Sequence, residues 1–279
     1  MNVSMQDGFN LAWKLVSVLN TTASPSILHT YSTERQKVAQ DLINFDREIA
    51  SMFSARPKTT GADDGDGIDP AEFQAFFEKQ GLFMAGLGTA YAPSLITAAP
   101  IYQELAKGFP IGERLHSAPV IRLADAKPIQ LAHIVKADGR WRIFVFASAE
   151  DPTVKHSSFQ VACSIIAALV AAFTPEGADK DSVIDVRAVL QQGHASLNIN
   201  DMPDIVWPQK GKLGLRDYEK VFCAEAVFGH KDIFTSRQIN REKGCVVVVR
   251  PDQYVANILP LGDYDGLGKF FAGFMRTRA

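Results

Sequence analysis

Asp63, Asp64, Asp66, Asp69 and Glu72 crowd around Gly65, Gly67 and Ile68, the composition of a calcium loop. Such a loop needs oxygen ligands at fixed positions, a glycine at the sixth and a bidentate glutamate at the twelfth. Placing Gly67 sixth puts Ala62 first and Phe73 twelfth, and placing Glu72 twelfth puts Gly61 first and Asp66 sixth. Neither register works, so the stretch reads as a solvated acidic loop. Six histidines (His29, His116, His133, His156, His194 and His230) are scattered, and none stands in an HxxxH or HExxH spacing that would hold zinc. Cys163, Cys223 and Cys245 are far apart and form no CxxC, so neither a disulfide framework nor a dithiol redox pair is expected, and a reducing cytoplasmic setting fits best. Cys163 lies in an apolar stretch with no neighbour arranged to lower its pKa, the setting of a small buried hydrophobe. No strand leads into Gly262, Gly266 and Gly268, no GxGxxG follows a strand, and no P-loop is present. The chain therefore shows no turn that would seat a dinucleotide pyrophosphate on a helix N-terminus.

The elements that would carry these residues follow from pattern. Of 279 residues, 47% are hydrophobic and 22% charged, which is globular composition. A net charge of −2 gives no basic excess for nucleic acid or an anionic membrane. The longest apolar run, Val161 to Phe173, is interrupted by Ser164 and too short to span a bilayer, and no signal peptide is expected. Apolar spacing predicts helices over Gln6 to Leu19, Ser26 to Phe53, Glu72 to Met84, Ser157 to Phe173 and Gly266 to Met275. Extended segments are expected at Pro119 to Leu123, Gln130 to Val135, Trp141 to Ala147, Ser182 to Leu190 and Val246 to Val249. Strand–helix–strand followed by strand and helix is an α/β layer architecture, beginning near residue 105.

Several segments carry a family resemblance. The opening Met1-Asn-Val-Ser-Met-Gln-Asp-Gly-Phe-Asn-Leu-Ala-Trp-Lys-Leu15 resembles the last flavin-binding motif of the FAD-dependent aromatic hydroxylases, on their phenol 2-monooxygenase branch. The likeness continues through His29-Thr-Tyr-Ser-Thr-Glu-Arg35, Leu42-Ile-Asn-Phe-Asp46, Arg122-Leu-Ala-Asp125 and Asp138-Gly-Arg-Trp-Arg-Ile-Phe-Val-Phe-Ala147. It ends at Val246-Val-Val-Val-Arg-Pro-Asp-Gln-Tyr-Val255.

The resemblance implies a helical remnant of an FAD/substrate domain over residues 1–107 and a thioredoxin-like dimerisation domain over 108–279. Ser148-Ala-Glu-Asp-Pro152 stands where a redox-active relative of that fold carries CxxC, so this domain is expected to be structural. The implied activity is NADPH- and O2-dependent ortho-hydroxylation of a phenolic substrate on FAD, in aromatic or secondary metabolism. The chain is expected to represent a truncated C-terminal portion of such an enzyme. Met1 and Asn2 are the flavin-loop positions that carry over: backbone amides opening the helix face the pyrimidine edge of the flavin, where negative charge develops. Asp7 and Asn10 are expected to cap or orient that end. None of the family's catalytic side chains has a counterpart here. The implied partners are a second copy of the chain or a full-length relative. Two alternatives are a non-catalytic thioredoxin-like scaffold and one half of a split hydroxylase. Phe9, Trp13 and Leu19 are expected on a partly exposed apolar face that promotes association.

Overall fold

Trp141–Phe146 carries six consecutive buried side chains, which requires a layer on each face of the strand. The computed structural model, which describes residues 2–54, 56–57, 67–68 and 70–277, supplies both. Helices α1 (Asn2–Leu19) and α2 (His29–Ser54) come first, joined through a 3-10 turn at Pro25–Leu28. The Ser24 hydroxyl caps that turn by accepting the Ser26 amide. β1 (Arg56–Pro57) and β2 (Gly67–Ile68) pair in parallel, and α3 (Pro70–Met84) follows. Then come β3 (Pro119–Arg122), β4 (Pro128–Gln130), β5 (Trp141–Phe146), α4 (Ser158–Phe173), β6 (Ile184–Leu190), the small hairpin β7 (Gln209–Lys210) and β8 (Leu215–Arg216), and β9 (Val221–Cys223). The chain closes with α5 (Ile233–Ser236), β10 (Cys245–Val249), β11 (Val255–Leu259) and α6 (Tyr264–Ala272). Of the acidic loop, Asp63, Asp64, Asp66 and Asp69 lie outside the described residues.

Among the described residues, seven strands form one mixed sheet in the order β11-β10-β5-β6-β9-β3-β4. β5 pairs in parallel with β6, and β6 with β9; the other pairings are antiparallel. The β5–α4–β6 crossover and the β10–β11 hairpin followed by α6, in spatial order β11-β10-β5-β6, give the thioredoxin-like arrangement expected from the resemblance. Alternation along β5 assigns the faces. Trp141, Ile143 and Val145 point into the layer of α4 and α6, while Phe144 and Phe146 point into the opposite layer with Phe109, Leu131 and Phe234. α4 has no charged residue in 16 and buries Phe159, Ala162, Cys163, Ile166, Val170 and Phe173 at helical spacing. Trp13, Ala23 and Ile27 from the N-terminal helical part enter the same core.

Three strands of the seven-stranded sheet differ from expectation. The strand placed at Gln130 to Val135 is confined to Pro128–Gln130, after which Leu131–Ile134 coils into a 3-10 turn that buries Leu131. β11 and β9 are strands that pattern did not single out: both are short, and β11 directly follows the turn at Arg250-Pro251-Asp252.

The strap from Thr89 to Gly112 crosses the molecule at one tight point. Gly112 has φ +90°, and a Cβ there would stand 2.2 Å from the Tyr91 carbonyl oxygen. Its amide donates to Val255 O at 2.8 Å and its carbonyl accepts from Tyr91 N at 2.9 Å. Gly112→Ala is expected to lower the unfolding free energy by about 2 kcal/mol or more, read from urea unfolding, because neither the φ nor the contact can relax.

Candidate functional site

α1 is turned opposite to an ordinary amphipathic helix. Asn10, Trp13, Lys14 and Ser17 are buried, whereas Met5, Leu15, Val16 and Leu19 face outward. The expectation that Trp13 would be exposed is therefore corrected. Trp13 is 4% accessible and packs edge-on against Trp141, while Phe9 is half-buried and Leu19, at 78%, is exposed as expected. The reason lies in what waits beneath the helix, which is a set of charges.

Arg250, at the turn between β10 and β11, is fully buried. Its guanidinium grips Glu34 of α2 with two bonds, Nη1 to Oε1 at 2.6 Å and Nη2 to Oε2 at 2.9 Å. It also donates to Asp252 from Nε at 2.9 Å and from Nη2 at 2.7 Å. Lys14 Nζ donates to Glu34 Oε2 at 2.9 Å and to Asn10 Oδ1 at 2.7 Å. The Trp13 indole donates to Asp252 Oδ2 at 3.1 Å. Next to Glu34, Arg35 turns the other way, to Asp7 Oδ1 at 2.5 Å and to the Tyr91 hydroxyl at 3.0 Å. The rings of Trp13, Tyr91 and Tyr254 surround the Arg250 guanidinium. Three cations (Lys14, Arg35, Arg250) face three carboxylates (Asp7, Glu34, Asp252), which makes their burial tolerable.

The environment moves these groups' protonation. Burial pushes the Lys14 ammonium down to about 8, against the pull of Glu34. For Glu34, burial works toward protonation, but Arg250 outweighs it and holds the carboxyl at about 2. With a folded value of about 2 against 4.5 for the free side chain, Glu34 contributes fully above pH 4.5 and loses that contribution as pH falls toward 2. We expect urea unfolding between pH 7 and pH 2 to lose about 3 kcal/mol from this group. The corresponding fall should be missing in Glu34→Gln.

Asp7 and Asn10 do not cap α1. Asp7 pairs with Arg35, and Asn10 bridges Lys14 and Glu34 through a bond from Nδ2 to Oε2 of 2.8 Å. Met1 lies outside the described residues, and Asn2 is described only as the first backbone position of α1. Lys14, Glu34, Arg35, Arg250 and Asp252 were not singled out as functional positions. The available signal was charge within apolar surroundings, because each sits inside a segment that carried the family resemblance.

A second buried cluster lies where β5, β6 and β9 begin. Lys220, fully buried, donates to Asp181 Oδ2 at 2.7 Å and also to Asp185. Asp185 also accepts from Arg187 at 2.9 Å and faces Arg142 Nε at 3.4 Å. Burial opposes ionisation of Asp181, but Lys220 and Lys210 carry its carboxyl down to about 2.

Other candidate groups are inert or isolated. All three cysteines are free and buried, and burial raises each thiol, that of Cys223 to about 12. His194 pairs with Glu225 at 2.6 Å. Among the described residues, no three His, Cys, Asp or Glu side chains converge as a metal-ligand set. None of the described helices is long and apolar enough to cross a membrane.

A flavin nucleotide has two needs that can be tested against these residues. The βα turn that would take a pyrophosphate, between β5 and α4, is closed by the protein's own groups. Ser157 Oγ accepts the Gln160 amide at 3.3 Å, and Glu150 Oε2 accepts the Ser158 amide at 2.7 Å. A dinucleotide phosphate does not fit there. The start of α1 is different: no acidic side chain occupies its first turn, and Ser4 and Met5 are exposed. That end suits an anionic edge of a ring.

Residues 89–279 match the family described as phenol hydroxylase, C-terminal dimerisation domain, and residues 1–46 match the FAD binding domain. The chain belongs to the FAD-dependent aromatic hydroxylases that carry this dimerisation domain. It is 50% identical over 281 residues to 3-hydroxybenzoate 4-monooxygenase of Comamonas testosteroni, covering 99% of this chain and 44% of that protein. It is 36% identical over 285 residues to the FAD-dependent monooxygenase terD of Aspergillus terreus, covering 100% of this chain and 46% of that one. The chain thus spans less than half the length of these relatives. The fold is shared with the flavin-dependent monooxygenase PieE, solved with FAD and substrate, at a TM-score of 0.53 and 19% identity over 97% of this chain and 43% of that one.

Proposed function

We propose that this chain supplies the last flavin-facing helix and the dimerisation module of a phenol hydroxylase-type monooxygenase. Such an enzyme uses NADPH and O2 to hydroxylate a phenolic substrate ortho to its hydroxyl group. The observation that carries this reading is the buried Arg250–Glu34–Lys14 network, which clamps α1 to the sheet, together with a first turn of α1 that holds no acidic side chain. When bound, FAD would supply the redox and oxygen chemistry. The residues of this chain orient: the backbone at Met1 and Asn2 would face the pyrimidine edge of the flavin, and α1 would lend its dipole to negative charge there. No catalytic side chain is assigned to this chain. We divide it at 107/108 into a helical part of the FAD/substrate domain and the dimerisation domain, with a homodimer as the working state. The cytoplasm is part of the same reading, supported by three buried, unpaired cysteines.

The test is flavin uptake by the purified chain, followed by NADPH oxidation with simple phenols. Saturable FAD binding with phenol-stimulated NADPH oxidation supports catalysis. A colourless protein that takes up no added FAD supports the second reading, a scaffold that pairs with itself or with a longer relative. What favours this second reading is the capped α4 N-terminus, which leaves no seat for the nucleotide phosphates at that turn.

A further inference from the structure

One continuous patch on the thioredoxin-like part carries both a protrusion and a hollow. The protrusion is the β7–β8 hairpin, whose tip Gly211-Lys212-Leu213-Gly214 leads into Leu215. Leu213 is 84% and Leu215 67% accessible. The hairpin is held firmly at its base. Gly211 N donates to Asp179 Oδ1 at 2.8 Å, Lys210 pairs with Asp181 at 2.8 Å, and Arg216 pairs with Asp204 at 2.7 Å while lying over the Trp207 ring. An anchored tip that presents two leucines to water is unusual for a hairpin with no partner.

The hollow is a cavity of about 310 Å³ between α4 and the segments that follow it, walled by Ala167, Val170, Ala171 and Ile205. Its shape comes from alanines on a helix that has no charged residue. Its charged lining is Lys180 and Asp204, and the protruding tip carries Lys212. A second cavity of about 320 Å³ lies between the hollow and the hairpin, bordered by Gly211 and Gly214 and sharing Ala178, Lys180 and Asp204 with the first. Knob and hole are therefore contiguous. A cavity of about 150 Å³ already takes a benzene ring, so the hollow has room for a leucine side chain.

We propose that a second copy of this chain occupies this patch reciprocally, with Leu213 and Leu215 of each copy seated in the α4 cavity of the other. The inference rests on the homodimer reading above and on the match of residues 89–279 to a dimerisation domain. It adds the surface. Two-fold contact requires one self-complementary patch on which residue i meets j and j meets i. A leucine knob contiguous with an apolar hole meets that requirement.

Sedimentation equilibrium of the full chain over a wide concentration range tests this, comparing wild type with Leu213→Asp and, separately, Ala171→Trp. Leu213 lies in solvent and Ala171 faces the cavity mouth, so both variants should keep the fold, which circular dichroism verifies. A dimer whose dissociation constant rises at least about 100-fold in each variant is expected, since every substitution acts twice across the axis. A disulfide between Leu213→Cys and Ala171→Cys proteins mixed together would support the same seating. A wild-type chain that stays monomeric at every concentration overturns both this proposal and the homodimer reading. A wild-type dimer that both folded variants retain overturns the surface alone and leaves the homodimer reading standing.

Discussion

Arg250→Met lowers the unfolding free energy by about 3–5 kcal/mol, the cost of stripping one partner from a buried ion pair. The lost attraction is the smaller part. Methionine fills much of the arginine's volume, but Glu34 and Asp252 then sit in an apolar interior with four fewer donor contacts between them. Among the described residues, Lys14 and Asn10 still reach Glu34, and the Trp13 indole and Asn10 still reach Asp252. Urea unfolding followed by Trp fluorescence checks the size, because Trp13 touches both the network and the Trp141 ring. The double variant Arg250→Met/Glu34→Gln should recover part of the loss, since the orphaned charge is gone, so the two substitutions should be non-additive by more than about 1 kcal/mol. Strict additivity would mean that the two residues do not act as a pair.

Lys220→Met carries a comparable cost, about 3–5 kcal/mol, in the second buried cluster where β5, β6 and β9 begin. Lys220 is the fully buried cation between Asp181 and Asp185, and its loss brings two carboxylates together with less positive charge between them. Arg140 and Lys210 still reach Asp181, and Arg187 still reaches Asp185, so the site is weakened without being emptied. The pH dependence separates this variant from a packing defect. Without Lys220 the carboxyl of Asp181 moves up from about 2 toward the free value of 3.8, so the loss relative to wild type should be largest above that pH and shrink as the pH falls toward 2. A uniform loss at all pH values would point to packing alone.

Much of the architecture was legible because physical pattern and fold agreed. WRIFVF and CVVVV are short, apolar and β-prone, and α4 repeats its buried side chains at helical spacing behind a serine cap. What escaped did so for identifiable reasons. Gln130 to Val135 has strand composition, but Leu131 reaches the core through a 3-10 turn, a choice made by tertiary burial. α1 has a broad apolar stripe that the structure splits, with Trp13 entering the core while Leu15, Val16 and Leu19 face outward, because Lys14 and Asn10 have charged partners beneath the helix. The candidate site was visible only as family segments. Charge pairing between Glu34 and Arg250 is a property of three-dimensional neighbours, and nothing local in Thr-Glu-Arg or in Arg-Pro-Asp names the other.

The same pairing orders events in time. Glu34 and Arg250 are 216 residues apart, and Trp13 and Asp252 are 239 apart. Contacts of such long span are closed late, because the chain entropy they cost is recovered only once intervening structure has formed. During synthesis α1 must therefore wait, its lysine and asparagine solvated, until β10 has paired and delivered the turn that follows it. A nascent chain halted before residue 250 would hold this helix undocked, a natural point for a chaperone to engage it.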